Sequence, residues 1–346
     1  MYTAFVLIVI QAINIMNNKY YLFLFLLFFV SCKPTYIGTD FKELGTIKNG
    51  DTLISDIPCT DINEMFIVDS LIVLNCFNTL DNKLVYIYNK YNGNFITSFG
   101  NYGRGPGELD YSDMTYRYTD KSIQFVTGHT KQNLKFNLDS VLNGGIYYES
   151  TPLIERINCS VYPFGDSLLF SSANYFRGAN YRFSIMKNNG DTIIGYRDGT
   201  KKDTPVILKP DYTKCFTYTN GALETEVLNL TENSISLASI NRYIKPNESL
   251  NAKGINQEYP GITPRGKASN KYIYTGWTES LSKEFPKKLI IFNWDGVAIG
   301  TIKIENNPKF RYVMDIDEIQ KKAYLLIETS TGQLNIVRYD MSHLPL

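Results

Sequence analysis

One turn signal recurs along this chain and limits what it can fold into. Asn92-Gly93 lies in KLVYIYNKYNGNFITSFG, Asn189-Gly190 in RFSIMKNNGDTIIGY, and Asp295-Gly296 in KLIIFNWDGVAIGTIKI. Each dipeptide separates two short apolar or alternating runs, which reads as a β-hairpin. Asn-Gly and Asp-Gly suit two-residue type I′ turns, in which both central residues need positive φ. Weaker turns fall between them, near Asp139 and Asn247, and the last run, QLNIVRYDM, ends near Asp340. Positions 93, 139, 190, 247, 296 and 340 are thus about 50 residues apart, the length of a four-stranded propeller blade. From residue 41 onward no amphipathic helix interrupts this rhythm. The pattern predicts an all-β fold, a six-bladed β-propeller of four-stranded antiparallel blades. The residues after QLNIVRYDM are too few for a closing strand. FKELGTIKNGDTLISDI, near the start, is therefore expected to complete the last blade, closing the ring and covering a sheet edge.

Composition agrees with this and excludes other classes. The 346 residues, 44% of them hydrophobic, are enough for one large domain, and 26 tyrosines favour strands. A net charge of +1 lacks the basic footprint of a nucleic-acid binder.

The N-terminus has a different character. MNNKYYLFLFLLFFVSC, Met16 to Cys32, has a polar start with Lys19, an apolar run from Tyr20 to Val30, then Ser31-Cys32. That is the layout of a secretory signal, and the run is too short to span a membrane. Residues 1–15 form a second apolar run without a positive charge, which points to Met16 as the true start. A small residue followed by cysteine resembles the lipobox of bacterial lipoproteins, although the upstream leucine of the strictest pattern is missing. The resemblance implies acylation of Cys32. The expected organisation is a signal peptide over 1–31, a lipidated tether over 32–40 and the propeller over 41–346. Export leaves Cys59, Cys76, Cys159 and Cys215, either bridged or free in strand interiors.

GNYGRGPGEL, residues 100–109, is the densest glycine stretch. It is no phosphate-binding loop: Pro106 removes an amide, no Gly-Lys-Ser/Thr follows and no helix opens after it. Ser98-Phe99-Gly100 followed by Gly103-Arg104-Gly105-Pro106-Gly107-Glu108 resembles the hallmark of TolB-like six-bladed β-propeller lipoproteins of Gram-negative bacteria. Residues 268–340 also follow that family's C-terminal blade pattern. The resemblance implies a lipid-anchored propeller but carries over no catalytic residue or cofactor, because most members have no assigned activity. The physical reading is architectural. Glycines permit positive φ where the chain crosses between blades, and Arg104 and Glu108 are expected to pair across the loop or to hydrogen-bond its carbonyls.

Other constellations are thinner. Gly165-Asp166-Ser167-Leu168 together with Asp340 and His343 resembles the first and last blocks of GDSL esterases, with Ser167 as nucleophile, His343 as base and Asp340 orienting it. Against this, more than 100 residues of β pattern precede Ser167, and the block supplying oxyanion donors is missing. His129 and His343 lack metal-ligand spacing, and Asp315, Asp317 and Glu318 lack the spaced ligands of a calcium loop. Trp277 and the many tyrosines fit packing between blades. The resulting expectation has no cofactor and no metal. It is a lipid-anchored binding or scaffold module of the cell envelope, at the outer membrane and facing the periplasm. Its partner would be an envelope protein or glycan, with membrane contact through the anchor alone.

Overall fold

The computed structural model describes residues 36–109, 113–117, 121–127, 132–145, 148–152, 161–164, 168–174, 181–187, 192–196, 205–219, 223–243, 261–278, 285–306 and 308–346. Met16, Cys32, His129, Cys159, Ser167 and the turns at Asn189-Gly190 and Asn247 lie outside these residues.

Among the described residues the strands fall into six sheets, each built around three or four consecutive antiparallel strands. The first holds β3 (Cys59–Val68), β4 (Leu71–Thr79), β5 (Lys83–Asn89) and β6 (Phe95–Asn101). The second holds β7 (Asp113–Arg117), β8 (Ser122–Thr127), β9 (Gln132–Asn137) and β10 (Tyr148–Pro152). Then come β11 (Val161–Phe164), β12 (Leu168–Asn174), β13 (Tyr181–Lys187) and β14 (Thr192–Tyr196). The fourth sheet is β15 (Val206–Leu208), β16 (Lys214–Thr219), β17 (Glu224–Thr231) and β18 (Ser234–Arg242). The fifth is β19 (Gly261–Ala268), β20 (Tyr272–Thr278), β21 (Lys288–Asn293) and β22 (Ala298–Ile304). Only three strands of the sixth come from its own stretch of chain: β23 (Lys309–Asp317), β24 (Lys322–Glu328) and β25 (Leu334–Asp340). The first strands are neighbours: β3 lies beside β7 and β23, β7 beside β11, and β19 beside β15 and β23. This is the six-bladed propeller that the turn spacing predicts, with the first strand of each blade innermost.

The segment near the N-terminus contributes two strands where one was expected. β1 (Glu43–Ile47) adds to β22 in parallel, as a fifth strand of the fifth sheet. β2 (Asp51–Ile54) pairs antiparallel with β25 as the fourth strand of the sixth. Gly50, between them, leaves room for the side chains of Tyr339 and Val337, which a Cβ there would strike.

Burial explains the sequence pattern blade by blade. Middle strands are covered on both faces by neighbouring blades, so β5 (KLVYIYN) reads as a nearly continuous buried run. Outer strands meet solvent, and β18 (SISLASINR) is polar and largely exposed. Apolar clusters fill the gaps between blades. Phe99, Phe125 and Phe136 join the first to the second, and Phe170, Phe183 and Leu228 join the third to the fourth. Phe216, Phe292 and Trp277 join the fourth to the fifth, and Ile302, Phe310 and Leu325 the fifth to the sixth. Met65, Tyr86, Tyr324 and Ile336 join the sixth back to the first. Trp277 is thus a core residue, its ring edge-on to Phe41. Among the described residues two buried ion pairs also cross between blades: Lys90–Asp317 (2.8 Å) links the first and sixth, and Arg182–Glu226 (2.5 Å) the third and fourth.

The hairpins differ from expectation in turn type. A type I′ turn needs positive φ at both central residues, but at Asp295-Gly296 only Gly296 has it (φ +74°). The loop is three residues, Trp294 to Gly296, closed by Gly296 N–H to the Asn293 carbonyl (3.0 Å) and Asn293 N–H to the Val297 carbonyl (3.0 Å). This is a type I turn followed by a left-handed glycine. The Asn293 side chain favours it by accepting from the N–H groups of Asp295 and Val297, both at 3.0 Å. Asn89 acts in the same way ahead of Gly93, accepting from the N–H groups of Tyr91 (2.9 Å) and Asn92 (3.3 Å). The expected turn near Asp139 is one turn of helix, α1 (Leu138–Leu142), capped by the Asn137 side chain on Ser140 N–H (2.9 Å). Cys59, Cys76 and Cys215 are free thiols, and burial pushes those of Cys76 and Cys215 well up.

Candidate functional site

The glycine loop leaves β6 and turns back on itself. Tyr102 and Leu109 form a parallel bridge, with Gly103 N–H donating to the Leu109 carbonyl (2.9 Å) and Leu109 N–H to that of Asn101 (2.8 Å). Leu109 is fully buried among Phe99, Phe125 and their neighbours, pinning the far end of the loop. Inside it, the Glu108 carboxylate accepts the Gly105 N–H at 2.7 Å. A Cβ on Gly103 would run into that carboxylate, and one on Gly107 (φ +73°) would lie 2.5 Å from the Tyr148 ring. Each of these glycines therefore has a local steric reason. Glu108 pairs with backbone and not with Arg104. Arg104 is exposed and forms no ion pair among the described residues. A carboxylate can satisfy an orphan amide inside the loop at short range, whereas an ion pair with an exposed guanidinium gains little in water.

Asp340 and His343 do not form the dyad an esterase needs. Asp340 accepts from Lys322 Nζ (2.8 Å) and Ser342 Oγ (2.6 Å), and the lysine's hydrogen bond pulls its carboxyl down to about 2. His343 Nε2 lies 2.9 Å from the Thr46 carbonyl oxygen. Asp315, Asp317 and Glu318 also diverge. Asp315 accepts Ile67 N–H (2.6 Å), Asp317 pairs with Lys90, and Glu318 accepts from Ser269 (2.6 Å) and Tyr274 (2.7 Å). Among the described residues no cluster of His, Cys, Asp and Glu fits a metal ion.

A different site emerges at the innermost strands of three consecutive blades. The pairing register of β3 slips between Ile62 and Glu64, that of β19 between Ile262 and Gly266, and that of β23 between Phe310 and Met314. The pairings of β7, β11 and β15 run without such a break. Bulges re-aim side chains and recur beside functional sites. Within the β23 bulge, Tyr312 takes φ +67°, a left-handed conformation that costs a bulky residue about 1–3 kcal/mol. Its ring lies against Phe285 and Phe310.

β23 stands between β19 and β3, yet two side chains of β19 reach β3. Arg265 donates to the Asn63 carbonyl (2.5 Å) and to the Asn63 side-chain oxygen. Lys267 places its ammonium 3.5 Å from the centre of the Phe66 ring, a cation–π contact. Both must pass in front of β23, on the axial side of the inner strands. Asp315, behind them, is buried, which raises its carboxyl above the usual range. The charge of Lys267 and the N–H groups of Ile67 and Ile316 act against that shift. Alternation alone misses this site, because bulges break the period-2 pattern that locates side chains. The available signal was Pro264-Arg265-Gly266, a proline and a glycine inside an otherwise regular strand.

With this geometry in hand, solved structures offer a comparison. An exported protein of Bacteroides fragilis superposes with a TM-score of 0.57 at 13% identity, covering 87% of this chain and 97% of that one. A member of the DUF4221 family from Bacteroides vulgatus gives 0.52 at 12% identity, covering 85% and 96%. The likeness is one of fold. No family model matches the sequence, and no curated protein does.

Proposed function

We propose that the chain is a non-enzymatic binding or scaffold module of the bacterial cell envelope. Acyl chains on Cys32 hold it at the outer membrane, facing the periplasm, and its ring presents a protein- or glycan-binding surface. Three features support this reading. The signal-like N-terminus runs into Ser31-Cys32, and Gly103 to Glu108 resemble the lipoprotein propeller hallmark. A protein of the same fold is described as exported. The observation that carries the binding role is the bulged axial rim of β19, β23 and β3, where strain at Tyr312 and two cations are concentrated. Strain of this kind persists at ligand clamps and recognition sites. We read the pairing of β2 with β25 as the clasp that keeps the ring closed under load.

The test is crosslinking and affinity capture from the native membrane, with Cys32→Ala as control. A specific envelope protein or glycan recovered with the anchored form, and lost when Cys32→Ala moves the protein to the soluble fraction, is the expected result. Membrane retention of Cys32→Ala would refute the anchor. Failure to recover any partner, together with turnover of model esters, would refute the binding role.

A further inference from the structure

We propose that the axial face of β19 and β3 binds an oxyanion, a carboxylate, sulfate or phosphate group, between the side chains of Arg265 and Lys267. This deepens the binding-module reading and rests on it. Arg265 is anchored on neutral oxygens only, those of Asn63 and, at 3.4 Å, the Ile62 carbonyl. These contacts orient its guanidinium but leave its charge unbalanced. Lys267 rests on an aromatic face, which is also neutral. Neither cation has a carboxylate within ion-pair distance among the described residues. Asp315 acts on Lys267 only through space, because its oxygens are taken by the N–H groups of Ile67 and Ile316.

The neighbouring cation behaves differently. Arg311, on the bulged strand between them, has a carboxylate in reach: Glu328 at 3.2 Å, which it shares with Lys309. Two cations held on β19 and reaching to β3, neither in an ion pair among the described residues, form an anion-binding arrangement. A planar guanidinium supplies directed N–H donors and the ammonium a point charge. The register of all three strands shifts beside these contacts, and bulges re-aim side chains.

The test is calorimetric titration of the full-length protein in detergent at fixed ionic strength, with sulfate, phosphate and galacturonate as separate probes and chloride as the balancing salt. We expect at least one probe to bind, with affinity at least tenfold weaker in Lys267→Gln and in Arg265→Gln. Lys303→Gln, which removes an exposed lysine of β22, should bind like the parent. Galacturonate binding alone would identify a carboxylated sugar, and sulfate or phosphate binding the free inorganic group. The inference is overturned if no probe binds. It is equally overturned if Lys267→Gln, which leaves the Arg265 anchor in place, binds as tightly as the parent, or if Lys303→Gln weakens binding as much. Partner capture by both the parent and Lys267→Gln, with no oxyanion bound, would remove this inference and leave the module intact. Oxyanion binding without any captured partner would keep this inference and the binding role, and remove only the protein partner.

Discussion

Gly107 shows how much a single residue can carry. Its φ of +73° is strained for any L side chain, and the Tyr148 ring fills the space a Cβ would need. Gly107→Ala is therefore expected to cost about 1–3 kcal/mol, read as a lower denaturation midpoint with an unchanged slope. Asp340 carries a pH signature instead. Its folded-state carboxyl sits near 2, below the ordinary 3.8, through its bonds to Lys322 and Ser342. A lowered acid contributes stability above its unfolded value and loses it as pH falls through the folded one. The parent should exceed Asp340→Asn in melting temperature by a constant margin above about pH 5, a margin that vanishes near pH 2. Because Asp340 is half exposed, the margin should be small and should shrink further in salt.

At the level of elements, the hairpin linking β21 and β22 depends on the Asn293 side chain. Asn293→Ala removes the acceptor for two N–H groups and should cost about 1–2 kcal/mol by thermal unfolding, at roughly 1 kcal/mol per net hydrogen bond. The same hairpin shows what the sequence discloses. Asp295-Gly296 locates the reversal correctly, because glycine's freedom to adopt positive φ is a local property. Turn type also depends on Asn293, two residues before Asp295, so the dipeptide alone points to the wrong turn. Blade strands were legible for a similar reason: burial on both faces writes a continuous apolar run into β5 that no other environment explains as simply. The rim of β19, β23 and β3 was not legible. A bulge is defined by pairing with a partner strand, and nothing local to Arg265 states that it will reach Asn63 across an intervening strand. The glycine loop falls between these cases. Its course follows from its own residues, while the choice of Glu108 for the Gly105 amide over Arg104 needs three dimensions.

For the whole molecule, the contacts that matter join residues far apart in the chain. Lys90 and Asp317 are both buried, with side chains 8% and 7% exposed, and they tie the first blade to the sixth. Lys90→Met leaves the aspartate buried without its partner and should cost about 3–5 kcal/mol. Lys90→Met/Asp317→Leu, which removes both charges, should recover most of that in chemical denaturation. A double variant as unstable as the single one would show that the ion pair is not the source of the loss.

The placement of β1 and β2 on the fifth and sixth sheets also sets an order of events. The earliest strands synthesised wait for the last ones: Asp51 meets Arg338 only after nearly every residue has emerged. Such distant pairing makes for slow folding. A chain stalled or cleaved short of β25 leaves β2 without its partner and an unprotected edge open to proteases and to other copies.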